Sequence, residues 1–138
     1  MSTNTKPIGV AYEDQNIIGA DKIYSAGELG YTTDAQGTVT QLTDKSTAVT
    51  LNKSAGRITM NNASLASATG VTFTLNNSYI SSNDTIILTL SGGIATPGTY
   101  NVFANSLGTG SVSITLRNLS AGPLSEAVVV NFALIHCV

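Results

Sequence analysis

The chain predicts an all-β fold, an antiparallel and jelly-roll-like β-sandwich that carries an extended N-terminal arm. From Gly37 onward, apolar and polar residues alternate with period two in short runs that recur about every dozen residues. Clusters of Gly, Asn, Ser and Pro separate the runs. No segment sustains the 3.6-residue apolar stripe of a helix. At 138 residues the chain fits one domain, able to bury roughly two thirds of its unfolded surface without metals or cross-links.

Residues 1–36 read as the arm. They hold five of the eight acids (Glu13, Asp14, Asp21, Glu28, Asp34), three of the five tyrosines and no phenylalanine, and Gly9, Gly19, Gly27 and Gly30 punctuate them. The patches Ile8, Val10, Tyr12 and Ile17, Ile18, Ile23, Tyr24, followed by Tyr31, are too apolar for a solvated tail and point to docking on a partner surface.

Residues 37–138 read as the sandwich, with eight strands at 37–41, 48–51, 56–61, 69–76, 84–91, 98–105, 110–118 and 126–136. In the fourth, Val71, Phe73 and Leu75 share one face and Thr72 and Thr74 the other; in the seventh, Val112, Ile114 and Leu116 alternate with Ser113, Thr115 and Arg117. The fifth (Ile86, Ile87, Leu88, Leu90) and the last (AVVVNFALI) are apolar on both faces, so a neighbouring subunit is expected to cover the second face. Gly108 to Gly110 predicts a hairpin between strands six and seven. The stretch 62–68, the one helical candidate, has too little apolar surface for more than a turn. With no Trp and 6% aromatics, the core is expected to rest on Val, Ile, Leu and Ala, with Phe73, Phe103 and Phe132 as its large pieces.

Only 10% of the residues are charged, against about 25% in an ordinary domain. Thr, Ser and Asn, at 19, 15 and 12 copies, supply the polarity instead. Such a surface forms hydrogen bonds but repels little, which suits a subunit of an assembly. The net charge of −2 and six scattered basic residues give no footprint for nucleic acid. The apolar runs are far shorter than a membrane helix, and the N-terminus lacks the pattern of a secretory signal.

The titratable inventory is too thin for an enzyme, and no residue set calls for a metal or cofactor. His136, the only histidine, reads as a strand-end residue bonding backbone or a neighbour; three copies on a symmetry axis offer its one route to an ion. The arm acids read as solubilising charges. Asp44-Lys45-Ser46 and Asn83-Asp84-Thr85 read as turns, and Cys137 as a small buried hydrophobe. Tyr79 and Tyr100 are the only tyrosines of the β region and make a poor platform for sugar.

The segments TLNKSAGRITMNN, NDTIILTLSGG, ITLRN and LSEAVVVNFALI, spread over residues 37–135, together resemble a module recurrent in tailed-bacteriophage virion proteins. That resemblance, and the small size, imply a capsid decoration (cement) protein on the virion surface. It would bind the major capsid protein, self-associate as a homotrimer, and tie shell subunits together without chemistry. The alternative that the resemblance implies is a tail- or fibre-associated protein that recognises host glycan. The arm lies outside the resemblance, so Ile8, Val10, Tyr12, Ile17, Ile18, Ile23, Tyr24 and Tyr31 are shell-contact candidates by composition alone.

Overall fold

The computed structural model describes residues 19–137. The chain divides into two units, Met1–Gly30 and Tyr31–Val138. In the first, residues 19–30 are irregular and exposed, with a local turn in which the Ser25 hydroxyl accepts from the Gly27 N–H.

The second unit is a β-sandwich of eight strands: β1 (Gln36–Thr40), β2 (Val49–Thr50), β3 (Ala55–Thr59), β4 (Gly70–Asn76), β5 (Thr85–Gly92), β6 (Tyr100–Gly108), β7 (Ser111–Asn118) and β8 (Val129–Ile135). A short 3-10 turn, Thr33–Ala35, leads into β1. Residues 62–68 form no helix, and Leu65 instead bridges to Leu124.

One sheet has the order β1-β3-β8-β5 and the other β2-β4-β7-β6. Both are mixed where the sequence pointed to antiparallel strands: β1 with β3, and β2 with β4, run parallel, while the remaining four pairings are antiparallel. Only β6 and β7 are neighbours in both sequence and space. Their hairpin closes through Thr109 and Gly110, the latter at φ +80° where glycine is favoured. Its tip is pinned from outside, since Asn77 N–H donates to Gly110 O and Gly110 N–H donates to Ile80 O.

The alternation read from the sequence decides which residues meet between the sheets. Ile58, Val130, Phe132 and Leu134 from the first sheet pack with Phe73, Leu75, Val112, Ile114 and Leu116 from the second. Two glycines, Gly37 and Gly56, lie in register on β1 and β3. A Cβ on Gly56 would sit 2.6 Å from Leu51 and 2.8 Å from the Phe132 ring, so the missing side chain is what lets both reach the core.

Phe103 departs from the expectation that it belongs to the core. Tyr100, Val102 and Ala104 take the inward positions of β6, which turns Phe103 outward and leaves it 40% exposed. The register of β6 shifts between Ala104 and Ser106, a bulge that brings Leu107 back to the inner side.

Buried amides hold the loops to the sandwich. Asn118 Nδ2 donates to the carbonyls of Leu65, Ala66 and Gly122, while its Oδ1 accepts from Ser120. Gln41 Nε2 donates to Lys45 O and Thr47 O, and its Oε1 accepts from Asn61 N–H. Asn77 likewise joins Lys53 O to Tyr79 N–H. Each satisfies backbone groups that a loop would otherwise bury unpaired.

Candidate functional site

The two outer sheet faces follow from the same alternation. On the first sheet the registers place Thr38, Arg57, Asn131 and Thr89 in one row across four strands, with Ala55, Ala133 and Ile87 in the next. On the second, Thr72, Thr115 and Phe103 form one row and Gly70, Arg117 and Asn101 another. Arg57 and Arg117 are the only charged residues in these faces. Among the described residues neither makes a hydrogen bond or an ion pair, the single ion pair being His136 with Asp84.

The face of the second sheet is a network of neutral donors and acceptors. The Thr72 and Thr115 hydroxyls lie 2.7 Å apart, and Asn105 Nδ2 donates to Thr115 Oγ1 at 2.6 Å. The first sheet is more open, with Ile87 and Ile135 each about half exposed beside Ala133. The second, solvent-side cover expected for β5 and β8 is therefore missing from the single chain at these two positions.

A groove of about 580 Å³ opens on the first sheet. Tyr31 and Thr33 form one side, and Thr38, Arg57 and Asn131 lie along its floor with Phe132 below. The Tyr31 hydroxyl donates to Leu134 O, and Gln36 Nε2 donates back to Tyr31 O at 3.0 Å, so the segment ahead of β1 is tied across the sheet. Leu134 N–H is already bonded to Ser54 O, and β3 begins only at Ala55, which leaves that carbonyl for the phenol.

Comparison with protein families, curated proteins and solved structures finds no match.

Of the shell-contact candidates, Ile8, Val10, Tyr12, Ile17 and Ile18 lie outside the described residues. Ile23 and Tyr24 are exposed in the first unit. Tyr31 belongs to the sandwich unit, where it is a wall of the groove.

Three further polar clusters were only partly visible in sequence. Asp84, fully buried in its side chain, accepts from Ser81 N–H, Ser81 Oγ and Cys137 N–H, and its Oδ2 lies 3.0 Å from His136 Nδ1. Donation from the Ser81 backbone leads the causes that hold this carboxyl down at about 2, with the Ser81 hydroxyl, Cys137 N–H and His136 adding to it against the opposing effect of burial. His136 thus bonds a neighbour, as expected, but the neighbour is an acid 52 positions away. Cys137 is exposed, not buried, because it lies beyond the end of β8.

Lys45 is buried, and its ammonium donates to Asn61 O and to Glu126 O. Burial lowers its pKa, partly countered by the Glu126 charge. Glu126 Oε1 accepts from Ala95 N–H, whereas Glu126 Oε2 and the Tyr100 hydroxyl are buried without partners. Burial first, and then the nearby Glu126 carboxylate, push the Tyr100 phenol up to about 12. Asp44 accepts from Ser46 and Thr47, the turn read for this stretch, and Ser46 leads the bonds that lower its pKa. None of these clusters opens into the groove, and among the described residues no three His, Cys, Asp or Glu side chains converge as metal ligands.

Proposed function

We propose that this chain is a structural protein of a bacteriophage virion, a decoration (cement) protein that binds the major capsid protein as a homotrimer and adds contacts between shell subunits. The observation that supports this best is the character of the two sheet faces: each carries a single arginine, and the first leaves Ile87 and Ile135 half exposed beside Ala133. A neutral hydrogen-bonding face loses little when it is desolvated against another neutral face, and carries too little charge to keep neighbours apart. The four sequence segments that resemble virion modules give the particle context. Work is done by binding alone: rupture of the shell would also have to break every decorated seam, so modest contacts sum over many copies.

Cryo-electron microscopy of virions, with sedimentation of the purified chain against emptied shells, tests this reading. Density at three-fold positions on the shell and co-sedimentation are expected. Density on the tail with none on the shell would overturn it.

A further inference from the structure

The geometry points to a carboxylated pyranose, a hexuronic or sialic acid residue of a glycan, as the ligand of the groove on the first sheet. The inference concerns ligand chemistry and is independent of where on a particle the chain sits.

The groove combines four features that such a sugar requires. Its cation is a lone guanidinium: Arg57 is exposed, lies in the middle of the floor and has no partner among the described residues, so its fork is free for a bidentate carboxylate. Next to it on β8, Asn131 uses its Oδ1 to accept from Ser91 at 2.9 Å, which leaves its NH2 group for a ligand acceptor. Gln36 has the complementary arrangement, since its Nε2 is spent on Tyr31 O and its Oε1 is free to accept. Sugar hydroxyls donate and accept at once, and a free amide donor, a free amide acceptor and the Thr38 hydroxyl together meet both needs. The fourth feature is the aromatic wall: Tyr31 is 40% exposed, with its hydroxyl tethered, so its ring is held beside the floor for the C–H face of a pyranose.

Other ligand classes fit less well. A nucleic acid or a phosphate dianion calls for clustered cations, and the floor has one. A peptide adding as a strand would pair along the free edge of β1, away from Arg57 and Asn131, whose strands β3 and β8 are paired on both sides. The volume of about 580 Å³ lies within the range of small-ligand clefts and suits one or two sugar rings.

The test is a titration of the full-length chain, followed by amide proton–nitrogen correlation spectra, with methyl β-D-glucuronide, a methyl α-sialoside and, as neutral control, methyl β-D-glucoside. At least one acidic probe is expected to shift the signals of residues 56, 57 and 131 with a Kd of about a millimolar, the range of a ligand held by few contacts. The two acidic arms tell hexuronate from sialate. Arg57→Gln, at an exposed strand position, is expected to weaken that probe by about tenfold, the loss of one charge-assisted pair, while Arg57→Lys retains part of the affinity. Signals of the second sheet report that each variant is folded. The inference fails if neither acid moves the groove signals, if the glucoside binds as tightly as both acids, or if Arg57→Gln changes nothing. Those results leave shell binding untouched, so the two readings fail separately.

Discussion

Asp84 and Tyr100 are two buried groups whose titration the fold shifts in opposite chemical senses, and each yields a stability test. Asp84 is held ionised by its donors, so its folded pKa of about 2 lies below the ordinary 3.8. A depressed carboxylate contributes stability above the unfolded pKa, and that contribution drains away as pH falls from 3.8 toward 2. Asp84→Asn should lower the melting temperature at pH 7 and make it less dependent on pH through this acid window, as thermal unfolding followed by circular dichroism will show. Tyr100 is the reverse case. Its phenol is raised from 10.0 to about 12, so its contribution is complete below 10.0 and is lost as pH climbs to 12. Because the hydroxyl is buried with only the Glu126 carboxylate nearby, and not in good hydrogen-bond geometry with it, Tyr100→Phe should change stability at pH 7 by no more than about 1 kcal/mol. It should also remove part of the alkaline loss. A variant that is strongly destabilised at pH 7 would show that the hydroxyl is bonded after all.

At the scale of elements, the eight strands were legible because their alternation is local: Val71, Phe73 and Leu75 declare one face with no knowledge of the rest of the chain. Pairing was not legible, because five of the six strand pairings join elements that are not adjacent in sequence, and nothing in Gln36 to Thr40 announces a parallel partner at Ala55. Phe103 misled for a related reason, since Val102, Phe103 and Ala104 offer an apolar residue to both faces and only the pairing with β7 decides between them. The groove was hidden in the same way: Tyr31, Arg57 and Asn131 are separated by 26 and 74 positions and meet only through the β1-β3-β8 register. The segment ahead of β1 now has a defined role. Its bonds run from Tyr31 to Leu134, from Gln36 to Tyr31 and from Lys53 Nζ to Asp34 O, all within the sandwich unit. A chain that starts at Tyr31 should therefore keep the full stability of the sandwich, whereas one that starts at Gly37 should lose about 1–2 kcal/mol and several degrees of melting temperature. Equal melting temperatures for the two truncations would mean that the Tyr31 tether adds nothing.

For the whole molecule, the consequence of so few charges is a colloid with little to keep copies apart. A surface lined by Thr, Ser and Asn hydrates well, so solubility survives, but a weak attraction is not opposed by a long-range field. The half-exposed Ile87 and Ile135 lie beside Ala133 on an otherwise polar face, which makes them the place where such attraction should act. Burying apolar area depends only weakly on ionic strength, whereas contacts between charged surfaces fade within a Debye length of about 10 Å at 0.1 M salt. Self-association of this chain should accordingly persist, or strengthen, when salt is raised. Replacing both Ile87 and Ile135 with Lys puts two like charges at the centre of the contact; outward positions on β5 and at the last residue of β8 should accept them with little change in melting temperature. Sedimentation at matched concentrations is then expected to show the double variant as a monomer where the parent chain is oligomeric. A parent chain that stays monomeric at every attainable concentration, in low salt and high, would mean that this face meets only foreign partners, and the homotrimer would have to be abandoned while the shell contact was kept.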